Sequence, residues 1–387
     1  METHLDIDEI RSRIPGLKHC SYLNMSYGPK PTPVTDEVVR MARFIEEYAT
    51  LSKEVMEEIE RVYEGARVDV ARLLGASTDE IALTRHVSEG INIVATGIDW
   101  EPGDEVIVTD EEHPAGSLPW MNLAQRRGIV VKQLPLAPYE TEGIVERLDE
   151  LITPRTKLLC LSHVSTRTGF VLPSREVADT AHKHGVPVLL DGAHAVGLIP
   201  VDVKALGCDF YSGCGHKWLL APQGTGFLYV DADKLDDLQI TWIGASSAPT
   251  WDPDTYEFEA LTTAAKFEFG TRDKAVFSSL STAIAMAEEV GIDNIARRSW
   301  ELADHLRRRL TDVPGFTLRT PMDPVRSTGI SAFDIGINGR DLTERLWEEH
   351  RILVSGREDE LRVSIPYFAL EEEVDKLVDV LASLDGE

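Results

Sequence analysis

The stretch Val186-Pro-Val-Leu-Leu190 is apolar throughout, five residues long, and bounded by Gly185 on one side and Asp191-Gly192 on the other. That combination reads as a strand buried on both faces, and such strands belong to sheets covered by helices on each side. Similar runs recur along the chain with helical spacing between them. Strands are expected at 81–84, 105–109, 129–134, 157–163, 208–211 and 226–230, and helices at 88–98, 115–127, 144–152 and 174–184. The β-α alternation predicts an α/β fold with a mostly parallel central sheet covered by helices.

Ahead of this region, residues 5–14 are amphipathic and residues 22–29 read as a brief strand and a turn. Apolar residues at helical spacing (Val38, Met41, Ile45, then Val55, Ile59, Val62, Ala66, Val70) predict two long helices between 35 and 74, with a break at 50–52. Behind the alternating region the pattern changes. One helix over 281–310 is followed by strands at 316–319 and 329–333, a helix over 341–351, a strand at 361–365 and a last helix over 371–384. The expected organisation is an N-terminal segment (1–20) packing with a small domain, a large domain (21–265), and that smaller C-terminal α+β domain (266–387).

The 387 residues carry a formal net charge of −27. Nucleic acid and anionic membranes both reward basic patches, so neither is an expected partner. No apolar run approaches the roughly 18 residues that a membrane span requires. The opening Met1-Glu-Thr-His-Leu-Asp6 lacks the basic, then apolar start of a secretory signal, and a cytoplasmic protein is expected. Four cysteines, Cys20, Cys160, Cys208 and Cys214, are scattered without a C-x-x-C pair, so neither a metal site nor a disulfide framework is expected. The first three read as packed core thiols.

Asp191 stands where the apolar strand ends, at the carboxyl edge of the sheet, where open α/β folds place their ligands. The next strand-like stretch leads through small residues to Lys217, set between Gly215-His216 and Trp218-Leu-Leu-Ala-Pro222. That apolar setting disfavours the ammonium form and makes the amine a better nucleophile. A lysine and a carboxylate at one sheet edge suit a pyridine ring bearing an aldehyde: the lysine forms the imine and the aspartate keeps the ring nitrogen protonated. The predicted cofactor is pyridoxal 5'-phosphate. Asp191 by itself would serve equally as a strand-end helix cap. Near Ser88 a helix begins after a strand, so its free amides and positive dipole end offer an anion site; a simple N-cap at Ser88 is the other reading.

The segments Asp191-Gly-Ala-His-Ala-Val-Gly197 and Ser212-Gly-Cys-Gly-His-Lys-Trp-Leu-Leu-Ala-Pro-Gln-Gly224 resemble the class V aminotransferase group of fold-type I pyridoxal-phosphate enzymes. That group includes cysteine desulfurases, cyst(e)ine C–S lyases and isopenicillin N epimerases, and the resemblance runs through almost the entire chain. It implies an imine at Lys217, pairing of Asp191 with the pyridinium nitrogen, and contact of His194 with the phenolic oxygen. Thr84-Arg-His-Val-Ser-Glu-Gly-Ile-Asn92 is similar to the family's phosphate-binding turn, which places Val87 and Ser88 at the cofactor. In Asp110-Glu-Glu-His-Pro-Ala115 the resemblance makes His113 the histidine that stacks on the pyridine face. Cys214 and His216 fall where relatives contact the phosphate, although a thiol donates more weakly than the serine or threonine usual at that position. Phe267-Glu-Phe-Gly-Thr271 resembles the segment, here Gly270 and Thr271, that reaches the phosphate in the neighbouring subunit, which implies a homodimer with shared active sites. Arg362 matches the arginine that holds the substrate carboxylate, a task suited to a planar two-pronged donor; a solvent-facing salt bridge is its plain alternative. Asn24 and Ser26 resemble residues of the substrate side. Thr166 stands where desulfurases commonly carry asparagine.

Cysteine desulfurases bear a catalytic cysteine shortly before that arginine. Here Arg351-Ile-Leu-Val-Ser-Gly-Arg-Glu-Asp-Glu-Leu-Arg362 holds none, and persulfide chemistry needs that thiol. The resemblance then implies Cα deprotonation of a substrate aldimine by Lys217. β-Elimination by a cysteine- or cystine-type C–S lyase is the expected outcome, with an isopenicillin N epimerase-like epimerase or a class V aminotransferase as the alternatives. A non-catalytic relative would be expected to have lost Lys217 or Asp191. A nicotinamide-binding Rossmann enzyme would need G-x-G-x-x-G after its first strand, whereas Gly224-Thr-Gly226 precedes a strand.

Overall fold

A computed structural model describes residues 5–48 and 52–383. Thr50 and Leu51, where the break between the first two long helices was expected, lie outside the described residues, as does Leu384. The two helices themselves are Thr32–Tyr48 and Lys53–Leu74. Among the described residues, seven strands form the main sheet, in the order Ile81–Thr84, Gly226–Val230, Phe210–Cys214, Val188–Asp191, Thr156–Ser162, Glu105–Thr109 and Val130–Leu134. Only Gly226–Val230 runs against its neighbours; the other pairings are parallel.

Alternation along each strand divides its side chains between two cores. On one face Leu159, Leu161, Val188, Leu190 and Tyr229 pack with Tyr63, Val70, Val177 and Phe277 from the helices Lys53–Leu74, Ser174–Lys183 and Lys274–Val290. On the other, Leu158, Cys160, Leu189 and Leu228 pack with Ile91, Val94 and Trp120 from Val87–Gly97 and Pro114–Arg127. A strand that must supply apolar groups to both faces has no polar position to spare, which is why these segments read as unbroken apolar runs. Cys160 and Cys208 are buried thiols as expected; Cys20 is only partly covered.

A second sheet, antiparallel and four-stranded, runs in the order Phe316–Leu318, Ile330–Ile335, Glu360–Ser364 and Ser355–Arg357. Its core, including Leu306, Phe333, Leu361, Val363 and Leu377, is covered by the helices Ile292–Thr311, Gly339–His350 and Glu371–Ser383. The N-terminal strand Ser21–Tyr22 pairs in parallel with Ile352–Leu353 beside it, and Arg11 forms an ion pair of 2.9 Å with Glu373. The expected single helix over 281–310 is corrected to two, Lys274–Val290 and Ile292–Thr311, meeting at 71°. Gly291 makes the joint, at φ 85° and ψ 122°, a backbone state open to glycine and costly for other residues. Among the described residues no single helix is long and apolar enough to cross a membrane.

Candidate active site

At the carboxyl edge of the main sheet, beside the second sheet, lies a cavity of about 450 Å³. Its walls include Ser26, Val87, Ser88, His113, Thr166, Asp191, His194, Cys214, His216, Lys217 and Arg362. Segments separated by hundreds of residues meet here because parallel strands deliver their following loops to one edge.

Asp191 ends its strand in register with Ser162 and Ser212 of the neighbouring strands. The residue is buried, and its Oδ1 accepts the amide of Ala193 at 2.8 Å. Burial pushes its proton affinity up, against the opposing pull of Lys217 and that amide. Glu112, on the same edge, has its carboxyl bound by the Ser162 amide at 2.9 Å and by the hydroxyls of Ser162 and Thr109 at 2.6 Å. Desolvation, with the Asp191 charge adding to it, pushes Glu112 up to about 7. Although the residue is partly accessible along one side, the depth of its carboxyl group governs that shift.

Lys217 is driven toward the neutral amine by burial, with Cys214 and Asp191 opposing and Arg362 reinforcing. Its Nζ lies 3.0 Å from Nε2 of His194, which is also 3.2 Å from Oγ1 of Thr166. Nδ1 of His194 accepts the indole N–H of Trp218 at 3.2 Å. His113 caps the helix Pro114–Arg127, its Nδ1 accepting the Ala115 amide at 3.1 Å. Desolvation, then the charges of Lys217, Arg357 and Arg362, lower His113 to about 4, so its ring is neutral near pH 7.

At the other end, the N-cap of Val87–Gly97 is His86, whose Nδ1 accepts the Glu89 amide at 3.1 Å. Ser88 is thus one residue inside the helix rather than its cap. The first turn of that helix, with Val87 and Ser88, faces the cavity with the positive end of its dipole. His216 adds a buried Nδ1 that has no hydrogen-bond partner among the described residues. Cys214 contributes less, because its Sγ lies 3.9 Å from the Ala193 carbonyl and burial pushes the thiol up to about 11. An orphaned buried nitrogen and a helix N-terminus at one end, an amine between, and a buried carboxylate at the sheet edge fit the phosphate, aldehyde and ring nitrogen of pyridoxal phosphate.

On the side of the second sheet, Arg362 donates from Nη1 to the Thr166 carbonyl at 2.7 Å and to Thr166 Oγ1 at 3.0 Å. Its Nη2 donates to Ser26 Oγ at 2.7 Å. Its Nε is buried without a partner, and among the described residues no carboxylate lies within ion-pair distance of it. The salt-bridge alternative therefore fails. Burial lowers its proton affinity to about 10, helped by the charge of Arg357, and the group stays cationic at neutral pH. Asn24 does not line the cavity; it accepts the Ser26 amide at 3.0 Å and donates to the Val354 carbonyl at 3.2 Å, fixing the turn that presents Ser26.

Gly270 and Thr271 are not brought to the cavity either. They line an adjoining hollow of about 300 Å³ that shares Arg85, Gln223 and Gly224 with it. Sequence reasoning missed Tyr27, Arg85, His86, Gln223, Ser355 and Arg357 on the cavity wall. Ser355 and Arg357 arrive by hairpin pairing, with Ser355 directly across from Arg362. The alternation Leu361-Arg-Val-Ser-Ile365 marks the second strand of that hairpin, but the polar run 355–360 carries no apolar pattern to mark the first.

Residues 27–377 match the family model of the class V aminotransferases. The chain is 34% identical to an isopenicillin N epimerase of Streptomyces clavuligerus, over 86% of this chain and 87% of that one. A probable cysteine desulfurase of Methanothermobacter thermautotrophicus is 31% identical, over 98% of each chain. Among solved structures, the cystine C–S lyase C-DES in complex with its product cysteine persulfide superposes with a TM-score of 0.89 at 29% identity, covering 95% of this chain and 99% of that one. A C-DES variant with glycine covalently linked to the pyridoxal-phosphate cofactor gives the same TM-score of 0.89 at 27% identity, over 96% and 98%. The chain belongs to the class V aminotransferase family and is a pyridoxal-phosphate-dependent enzyme.

Proposed function

We propose that this enzyme removes the Cα proton of an amino acid and expels a sulfur leaving group from Cβ, as a β-eliminating C–S lyase for cysteine- or cystine-type substrates. The observation that carries this reading is that one buried amine, Lys217, stands at the cavity centre to take and return the Cα proton, while the Cys214 thiol, pushed up to about 11, is a weak acid. Lys217 is buried, lowered in proton affinity, and flanked by Asp191 and His194. His113 and His216 are each lowered to about 4, and burial and the charge of Lys217 lower His194 well below its ordinary value, so near pH 7 they lack a proton to give as imidazolium. Inversion at Cα through two bases needs a second acid on the opposite face. Elimination needs a single group that takes the Cα proton and delivers it to the departing sulfur.

When bound, pyridoxal phosphate supplies an aldehyde that captures the amino group and a ring that draws off the electron pair left at Cα. Asp191 would hold a proton at the ring nitrogen, Val87, Ser88 and His216 would bind the phosphate, and His113 would stack on the ring. Arg362 turns its fork from Thr166 and Ser26 to the substrate carboxylate and so orients the Cα–H bond toward Lys217. Sulfur transfer to the enzyme is disfavoured: Cys214 is a buried thiol pushed up to about 11, and the hairpin before Arg362 presents Ser355 and Arg357 to the cavity.

The second reading, epimerisation, is supported by the similarity to the Streptomyces epimerase. Incubating the holoenzyme with cysteine, cystine and related thioethers separates the two. Pyruvate and ammonia are expected. Deuterium taken from solvent into Cα, with neither keto acid nor thiol released, would replace elimination with epimerisation. A homodimer with shared sites completes the proposal; the position of Thr271, exposed and beside the cavity rather than in it, supports a role toward a second copy.

A further inference from the structure

Trp218 follows the central lysine directly, is 2% exposed, and its indole N–H donates, among the described residues, to Nδ1 of His194 at 3.2 Å. An indole nitrogen can only donate. The atom that receives that N–H must therefore carry a lone pair, so Nδ1 of His194 is unprotonated. A neutral imidazole then keeps its proton on Nε2. That nitrogen lies 3.0 Å from Lys217 Nζ and 3.2 Å from Thr166 Oγ1. Thr166 Oγ1 already accepts from Arg362 at 3.0 Å.

We propose that Trp218 is a positioning residue: by donating to Nδ1 it confines the His194 proton to Nε2, so that the imidazole presents a neutral, one-sided donor to Lys217 and to any acceptor atom beside it. Adding a second proton at Nδ1 would set two N–H groups against each other in a buried space, so the indole also shuts out the imidazolium. The charged and titratable groups around His194 act in the same sense. Lys217 on the following loop, Arg362 from the second sheet, His113 from the helix N-terminus and His216 beside Lys217 all oppose a positive charge there, while Cys214 and Asp191 are the acidic groups that act on Lys217. A glutamine at position 194 would have the same polarity, its oxygen accepting from Trp218 and its amide donating, without any titration. The Trp218–His194 pair gives an ionisable side chain the fixed polarity of an amide. This inference concerns the proton arrangement at the cofactor site and holds for elimination and epimerisation alike.

Neutron diffraction from the holoenzyme near neutral pD is the direct test. A deuteron on Nε2 of His194 and none on Nδ1 is expected; a deuteron on Nδ1, alone or with Nε2, overturns the proposal. The second test reads the visible absorbance of the holoenzyme against pH. Trp218→Phe should introduce an imidazole titration step, absent from the wild-type profile, that lies below the ordinary value of about 6.5 because burial and the charges of Lys217 and Arg362 remain. His194→Gln combined with Trp218→Phe should remove that step again. Wild-type and Trp218→Phe profiles that superimpose would refute the role, and should Trp218→Phe fail to fold, the neutron measurement on the wild-type protein still decides.

Discussion

Arg362 is a buried cation with no carboxylate partner among the described residues, held by a carbonyl and two hydroxyls. Neutral acceptors of this kind satisfy donors without cancelling charge, and the uncompensated charge favours an incoming anion. Arg362→Lys keeps the charge and loses the planar fork. Charge-assisted hydrogen bonds contribute about 1.5–3 kcal/mol each, so kcat/KM should fall roughly 10- to 100-fold, with most of the change in KM. Equal KM values for the two proteins in steady-state assays would remove Arg362 from carboxylate binding. Asp191, Lys217 and Arg362 were legible in the sequence because few side chains can do what each is placed to do. Arg357 and Trp218 were not, since their significance lies in what they face: a hairpin register in one case, a single acceptor nitrogen in the other.

The turn after Ser21–Tyr22 is latched to the loop that carries Lys217. The Gly28 amide donates to the His216 carbonyl at 2.9 Å, and Lys30 Nζ donates to the same carbonyl at 3.2 Å and to the Gly28 carbonyl at 2.7 Å. A Cβ on Gly28 would lie 2.2 Å from the Lys217 carbonyl oxygen, so one segment must move if a side chain appears there. Overpacking costs about 1–3 kcal/mol. Gly28→Ala should therefore weaken cofactor retention by roughly 10- to 100-fold, read as loss of visible absorbance on dialysis; retention equal to wild type would show that the latch does not position Lys217. Strands of the main sheet were readable because burial on both faces leaves a continuous apolar signature. The break at Gly291 was hidden inside helix-favouring sequence, where one glycine at φ 85° redirects the chain. The hairpin Thr250–Asp252 with Glu257–Glu259 is exposed throughout, so no burial pattern marks it.

Two cores meet at the cavity, and their junction concentrates groups whose ionisation burial suppresses. His163, buried and 3.0 Å from the Tyr211 hydroxyl, is lowered by desolvation to about 4. His216 is also lowered to about 4, and His194 well below its ordinary value. In the unfolded chain each imidazole titrates near about 6.5. Below that value the unfolded state binds more protons than the folded one, so stability rises with pH in this window. The histidine contribution is complete above about 6.5 and is lost as pH falls toward about 4. Glu112 acts in the opposite direction: raised to about 7 from an ordinary value of 4.5, it favours the fold at low pH, and its contribution fades as pH rises through 7. Several imidazoles against this one strongly raised carboxyl leave a net loss on acidification. Urea midpoints of the holoenzyme should drop between pH 7 and pH 4.5. His163→Gln, which does not titrate, should lose less over that interval than wild type, with a difference tending to roughly 3 kcal/mol by the lower end of the histidine window. Parallel pH profiles for the two proteins would mean that His163 binds its proton equally well in the folded and unfolded states, and the acid sensitivity would then belong to the cavity histidines alone.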